Sequence, residues 1–142
     1  MSDFSIFMAG NVTANETVKY VASKRIKDND GNGVAWELRA VSSDLDEAIR
    51  KECTKKVPVV GKRGQYTQET DTDKYIGKLC VATTVYPNLN NAELQDSYGV
   101  KNADELLKKM LLPGEYTEYK SKVMEVNGYD MSMDDLVDEA KN

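Results

Sequence analysis

The sequence predicts an α+β fold, in which an N-terminal β-hairpin packs with a bundle of about five to six short helices. Residues 18–40 alternate apolar and polar side chains around a glycine-rich break, which is typical of a hairpin. Residues 70–86 carry the longest helical pattern of apolar side chains. Residues 91–140 repeat shorter helical stripes between glycines and prolines, and a third strand beside the hairpin is left open.

The length and composition indicate one soluble domain. The chain has 142 residues, of which 40% are apolar and 30% charged. We expect an N-terminal arm at 1–17, a hairpin, helix and basic loop at 18–69, and a helical part at 70–142. Apolar runs stay well short of the ~20 residues of a membrane span. A secretion signal is not expected either, because the first apolar stretch is too short.

The net charge of −5 is unevenly distributed along the chain. Residues 1–69 carry a net charge of +1, and residues 70–142 carry −6. Binding to nucleic acid requires clustered lysines and arginines, which an acidic chain of this kind lacks. We therefore expect neither nucleic acid nor a membrane as a partner.

The predicted hairpin places Trp36 on its buried face. Val18, Tyr20 and the apolar residues after them alternate in the first strand, and Val34, Trp36, Leu38 and Ala40 alternate in the second. Side chains two positions apart share one face of a strand, so Trp36 should lie across from the tyrosine strand.

The break between the two strands, DNDGNG at 28–33, partly matches a calcium loop. Acidic or amide side chains and a glycine occupy the first, third, fifth and sixth positions of that pattern: Asp28, Asp30, Asn32 and Gly33. A calcium loop needs a glutamate at its twelfth position and helices on both sides. Arg39 occupies the twelfth position, and Glu37 comes two residues early. The segment is therefore interpreted as a hairpin turn without bound metal.

A helix and a basic segment follow the hairpin. Ser43 is predicted as the N-cap of the helix, with Asp46 in a capping-box position and the helix ending near Thr54. Residues 55–70 contain Pro58 and two glycines, which predicts a loop or a weak hairpin. Its cations are Lys55, Lys56, Lys62 and Arg63. A solvated segment is favoured over one that faces a partner.

The remaining helices are predicted from their caps and stops. Thr70 or Asp71 should begin the longest helix, which Pro87 should stop after Tyr86. The later signals are residues that commonly begin or end helices: Asn91 and Gly99, Asn102 with Glu105, Pro113 and Gly128, and Ser132 before the last helix.

The sequence lacks the residues that most often indicate a catalytic site. The chain has no histidine, which excludes nucleophiles activated by histidine and removes the commonest metal ligand. Cys53 and Cys80 both fall on helical apolar stripes and are interpreted as buried free thiols, with a disulfide left open. We therefore predict no catalytic residue, no cofactor and no metal site.

Four segments of the chain are distinctive: CTKKVPVVGKRGQY from Cys53, DKYIGKLCVATTVYPNL from Asp73, LQDSYGV from Leu94 and LLPGEY from Leu111. In these segments the chain resembles the XkdN-like tail assembly chaperones of phages and prophages. WELRA at Trp36 also fits, so the resemblance runs from about residue 20 to the end of the chain.

The resemblance implies a non-enzymatic protein of the host cell cytoplasm that acts during tail morphogenesis. Its implied partner is the tape measure protein, with tail tube subunits as a further partner and a homo-oligomer left open. Two alternatives remain: a structural component retained in the virion, and a small regulatory domain that binds another protein.

The resemblance implies no binding residues, so these are predicted from the two chain ends. Chain ends are seldom fully committed to a core, and methionine adapts to varied partners. The predicted partner-binding residues are Phe4, Ile6, Phe7 and Met8 at one end and Met131, Met133, Leu136 and Val137 at the other.

Overall fold

A computed structural model gives the structure of the chain and describes residues 3–129. Five short strands lie in this part of the chain: β1 Val18–Tyr20, β2 Trp36–Leu38, β3 Thr54–Pro58, β4 Tyr66–Thr70 and β5 Thr84–Tyr86. Five α-helices accompany them: α1 Ser43–Glu52, α2 Thr72–Thr83, α3 Ala92–Ser97, α4 Ala103–Met110 and α5 Pro113–Val126. Two 3-10 turns, Asp3–Phe7 and Ala9–Asn11, precede β1. The α+β prediction is confirmed.

The first sheet has three strands in the order β1-β2-β5, all antiparallel. Tyr20 pairs with Trp36 and Val18 with Leu38, so Trp36 lies across from the tyrosine strand, as predicted. The regular strands are shorter than the alternating runs, because residues 21–35 leave the sheet and pair only at their tip, through Lys27 and Gly33. The third strand, which the sequence left open, comes from the segment after α2.

The DNDGNG segment forms the turn at this tip. One carboxylate oxygen of Asp28 accepts hydrogen bonds from the backbone N–H groups of Asp30 and Asn32, at 2.9 and 3.0 Å. Gly31 adopts a φ of +83°, which a residue with a side chain rarely takes. The predicted turn is therefore observed, and the side chain of Asp28 holds it.

Helix α1 begins one residue earlier than predicted. Ser42, which has an extended backbone, accepts the hydrogen bond from the Leu45 N–H at 3.4 Å, and Ser43 is already the first helical residue. Two adjacent serines offer the same capping group, so the sequence pattern does not choose between them. The helix ends at Glu52, two residues before the predicted end.

Helix α2 is shorter than predicted. Asp71 caps it by accepting from the Lys74 N–H at 3.1 Å, which confirms one of the two predicted caps. The helix ends at Thr83, and the last three residues of the predicted helix form β5 instead. Thr84 is β-branched and pairs with Leu38 of the central strand, and this pairing in the sheet overrides the helical pattern.

The remaining predicted caps are found where the structure describes the chain. Asn91 caps α3 and Asn102 caps α4 through side-chain oxygens that accept backbone N–H groups at 2.9 and 2.8 Å. Pro113 opens α5, and Gly128 follows its end with a φ of +88°. The predicted cap Ser132 lies outside the described residues.

The core lies between the three-stranded sheet and helices α2, α4 and α5. Its most deeply buried large side chains are Trp36, Leu38, Leu79, Leu106, Leu107, Tyr119 and Val123. The indole of Trp36 meets the ring of Tyr119 edge-on, with ring centroids 5.3 Å apart. Cys53 and Cys80 are buried free thiols, as predicted.

The basic segment forms a two-stranded hairpin. Strands β3 and β4 pair antiparallel from Thr54 and Thr70 at the base to Pro58 and Tyr66 near the tip. Of the two structures that the sequence allowed here, the hairpin is the one observed. All five residues of β4 are exposed, so the ribbon stands away from the core.

Candidate protein-binding surface

The N-terminal arm presents four apolar side chains within two tight turns. The Met8 N–H donates to the Ser5 carbonyl at 3.1 Å, and the Asn11 side-chain amide donates to the same carbonyl at 2.7 Å. These local bonds close the two 3-10 turns before the chain enters β1. We call the side chains that the turns display the arm patch: Phe4, Ile6, Phe7 and Met8.

The arm patch is exposed to solvent. Its four side chains are between 54% and 73% exposed, and the rings of Phe4 and Phe7 lie 6.4 Å apart. Val12 extends the exposed apolar surface toward β1. Large apolar side chains grouped in this way mark surfaces that bind proteins or membranes more often than side chains scattered singly.

The other predicted half of the site cannot be placed beside the arm patch. Met131, Met133, Leu136 and Val137 lie outside the described residues. The last described residue, Tyr129, lies near the start of α1, beside Ser42 and Asp46. Among the predicted binding residues, the structure therefore positions the four of the arm and leaves the other four as a prediction.

A shallow groove between α1, α2 and α4 is a second apolar feature, which the sequence reasoning missed. Its volume is about 320 Å³, and its apolar lining comprises Leu45, Ile49, Val81, Ala82 and Ala103. At its rim the Lys78 ammonium lies 3.7 Å from an Asp104 carboxylate oxygen and 3.9 Å from one of Glu52. The three helices are far apart in sequence, so no local pattern signals the groove.

A cluster of titratable groups between α1 and α2 has a structural explanation. The Tyr75 hydroxyl donates to Asp46 and accepts from the Arg50 guanidinium at 3.0 Å, and that guanidinium also lies 4.2 Å over the Tyr75 ring. Burial, together with the carboxylate that accepts its proton, raises the pKa of the Tyr75 phenol well above its usual range. These contacts link α1 to α2. Because the phenol keeps its proton near neutral pH, Tyr75 is a poor general base.

Two nucleophilic groups, the Cys80 thiol and the Tyr119 hydroxyl, are buried in the core. Burial raises the pKa of the Cys80 thiol to about 12, so the reactive thiolate is scarce near neutral pH. The Tyr119 hydroxyl lies in the core, hydrogen-bonded to the hydroxyl of Thr84, and burial raises its pKa as well. Residues 3–129 contain no group of three cysteine or carboxylate side chains arranged to hold a metal ion.

None of the helices in the described chain combines the length and the apolar composition that crossing a bilayer requires. Three surface features of residues 3–129 are accessible to another protein: the arm patch, the groove and the protruding β3–β4 hairpin.

A family profile matches nearly the whole chain. The profile is described as "Phage XkdN-like tail assembly chaperone protein", and it matches residues 4–141. The match includes the arm patch, the groove and the β3–β4 hairpin, so all three surfaces lie within the family's common region.

Two proteins of Bacillus subtilis strain 168 are similar to the chain along their length. The protein YqbN is 36% identical over 141 residues, which are 99% of this chain and 93% of YqbN. The "phage-like element PBSX protein XkdN" is 30% identical and covers 99% of this chain and 94% of its own length. The crystal structure of YqbN superimposes with a TM-score of 0.77 at 30% identity, covering 92% of this chain and 99% of that chain.

Proposed function

The chain belongs to the phage XkdN-like tail assembly chaperone family, and from this membership we propose that it binds the tape measure protein while a phage tail is built. The tape measure protein is the partner that the family resemblance implies. Tail tube subunits are the second partner under the same proposal. The proposed role is binding without catalysis, in the cytoplasm of the host cell.

The arm patch is the observation that supports the proposal most directly. A chaperone for a long helical protein must cover apolar stripes that would otherwise associate with one another. Phe4, Ile6, Phe7 and Met8 are exposed and lie on one short segment, so they can contact such a stripe without disturbing the buried core. Phenylalanine and methionine are also enriched in protein interfaces, where methionine adapts its shape to the partner.

The size of the patch fits a complex that dissociates. Stable protein complexes bury about 1,200–2,000 Å² in total. Four side chains on a short arm supply only part of such an area, so binding should be reversible. A chaperone that acts during assembly and then leaves requires this property.

Co-expression with the tape measure protein tests the proposal. We expect the full chain to raise the soluble fraction of the tape measure protein and to be pulled down with it. A variant with Phe4→Ser, Ile6→Ser and Phe7→Ser should lose both effects while keeping its circular dichroism spectrum, because the changed side chains are exposed. The readouts are the soluble fraction and the recovered complex.

A matched control uses apolar residues that are exposed elsewhere on the chain. Val60→Ser with Leu112→Ser removes such side chains from the hairpin tip and from the start of α5, and should leave solubility and pull-down unchanged. Deletion of residues 130–142 tests the predicted C-terminal half of the site separately. The proposed partner is wrong if the unaltered chain neither solubilises nor captures the tape measure protein. The arm is the wrong site if the triple variant behaves like the unaltered chain.

A further inference from the structure

The outer edge of β4 is an unpaired strand edge on the protruding hairpin. Within residues 3–129 the second sheet contains β3 and β4 only, so each of these strands has one edge without a neighbour. All five residues of β4 are exposed on both faces of the ribbon. The backbone of this edge is therefore accessible to another strand.

The hydrogen-bond register shows which backbone groups of β4 point outward. The Val59 N–H donates to the Gln65 carbonyl at 3.0 Å, and the Asp71 N–H donates to the Cys53 carbonyl at 2.8 Å. Hydrogen-bonded pairs recur every second residue in an antiparallel ladder. The odd-numbered residues of both strands therefore direct their backbone N–H and C=O groups toward the other strand of the hairpin. The hydroxyls of Thr54 and Thr70 lie 2.7 Å apart, as expected for a pair without backbone bonds. Tyr66, Gln68 and Thr70 consequently direct their N–H and C=O groups outward.

The two edges of the hairpin differ in their protection. Proteins commonly block free edges with lysine, proline or a bulge. The outward positions of β3 include Lys56 and Pro58, and Pro58 has no N–H to donate. The β4 edge reads YTQET, with neither lysine nor proline, and its ladder with β3 is regular over five pairs. Tyrosine and threonine favour extended structure, so this edge is the one open to pairing.

Charge is also distributed unevenly along the hairpin. The exposed cations Lys62 and Arg63 lie in the turn at its tip. At the base, Lys55 lies opposite Glu69, and the exposed carboxylates Asp71 and Asp73 follow β4 directly. One end of the exposed edge is thus positive and the other negative, which makes the edge complementary to a reversed copy of itself.

We propose that β4 pairs antiparallel with β4 of a second copy of this chain, with Gln68 opposite Gln68 at the two-fold axis. The outward backbone groups of one copy then face those of the other, and Tyr66 pairs with Thr70 of the other copy. Three such pairs exchange backbone hydrogen bonds and join the two hairpins into a four-stranded sheet. The basic tip of each hairpin lies toward the acidic base of the other.

This arrangement avoids the contact that would oppose it. Thr67 falls opposite Glu69 of the other copy, so no like charges are directly paired along the strand. A five-residue strand pair is small beside the interfaces of permanent dimers. The dimer is therefore weak, depends on concentration and weakens with salt, because the contacts between tip and base are exposed.

Sedimentation analysis of the full chain over a concentration series tests the proposal. The mass should rise from 15.9 kDa toward twice that value with concentration. Gln68→Pro removes the outward N–H at the axis from both copies and leaves the inward ladder intact, so the dissociation constant should increase about tenfold or more. Lys56→Pro makes the same change at the outward edge of β3 and should leave the dissociation constant unchanged.

Two further measurements separate edge pairing from a general loss of structure. Amide exchange at Tyr66, Gln68 and Thr70 should slow as the concentration of the full chain rises, while the amides of the exposed residues 13–16, before β1, should exchange at a constant rate. Arg63→Glu should weaken the dimer more at low salt than at high salt. The proposal is overturned if the full chain stays monomeric throughout, or if Gln68→Pro and Lys56→Pro have the same effect. It is also overturned if the β4 edge gains protection only with another protein.

Discussion

The side chain of Asn127 ties the end of α5 to two other parts of the chain. Its oxygen accepts the Val41 backbone N–H at 2.9 Å, and its nitrogen donates to the buried hydroxyl of Thr83, also at 2.9 Å. Asn127→Ala should lower the free energy of unfolding by about 1–3 kcal/mol, because buried polar groups lose their partners. Urea denaturation measures this change.

The substitution Asn15→Ala, at an exposed position before β1, is the matched control for this change. It removes the same amide from the surface and should change the free energy of unfolding by less than about 0.5 kcal/mol. Equal effects of the two substitutions would show that the bridge made by Asn127 contributes nothing to stability.

A partly buried phenol and a buried thiol should make the fold sensitive to alkaline pH. Burial raises the pKa of Tyr116 from 10.0 to about 12, and that of Cys80 from 9.0 to about 12. The unfolded chain releases these protons at lower pH than the folded chain, so this stability is complete below about pH 9 and is lost as the pH rises toward 12. The pH dependence of the urea midpoint measures it. Tyr116→Phe should make the decline less steep.

At the scale of single residues, the sequence predicts the hydrogen bonds of side chains whose backbone partners are close in the chain. Asp71, Asn91 and Asn102 could be predicted as helix caps, because the backbone N–H from which each accepts a hydrogen bond lies only three residues further along the chain. The partners of Asn127 lie 44 and 86 residues away, and Arg25 donates to the carbonyl of Met110, 85 residues away. No pattern in one sequence reports such distant pairs.

The apolar stripe of α4 supports the core at the scale of the element. Leu107 is 1% exposed and belongs to the dense stripe that the sequence predicts for this helix. Leu107→Ala should lower the free energy of unfolding by about 2–5 kcal/mol, through lost burial and the cavity left behind. Leu112→Ala is the control, because Leu112 is 51% exposed and its loss should cost less than about 0.5 kcal/mol. Denaturant midpoints that hardly differ would contradict the assignment of Leu107 to the core.

The turn at 28–33 should be indifferent to calcium. The Asp28 carboxylate already accepts hydrogen bonds from two backbone N–H groups. Arg39 occupies the twelfth position of the pattern, where a calcium loop needs a carboxylate. Millimolar calcium should therefore leave the melting temperature unchanged, whereas Asp28→Ala should lower it with or without the ion. A calcium-dependent rise of several degrees would contradict the prediction, since a ligand of the native state stabilises it.

Elements whose signals are local were predicted well, and β5 was not. Residues 84–86 continue the helical stripe of α2, yet they pair with β2, and the Arg39 N–H donates to the carbonyl of Thr83 at 2.9 Å. The partner strand lies more than forty residues earlier in the sequence. Pairing at that separation depends on the whole fold, which helical spacing within α2 does not report.

At the scale of the whole molecule, the sequence indicated the exposed N-terminal arm but not the groove or the β4 edge. The arm patch could be predicted because apolar residues in the first eight positions precede every strong secondary-structure signal. The groove between α1, α2 and α4 exists only once three separate helices are packed. The unpaired β4 edge likewise depends on which strands become neighbours, and the sequence had left this segment as a loop or a weak hairpin.

The composition of finished phage tails tests the proposed role of the whole molecule. Under the proposed function, the chain is needed while the apolar stripes of the tape measure protein are uncovered, and is no longer needed once the tail is complete. The small arm patch favours dissociation at that stage, because its contact area is below that of permanent complexes. Quantitative mass spectrometry should therefore find the chain in lysates during assembly and not in purified particles. A fixed ratio of the chain to tail tube protein in those particles would instead identify a structural component of the virion.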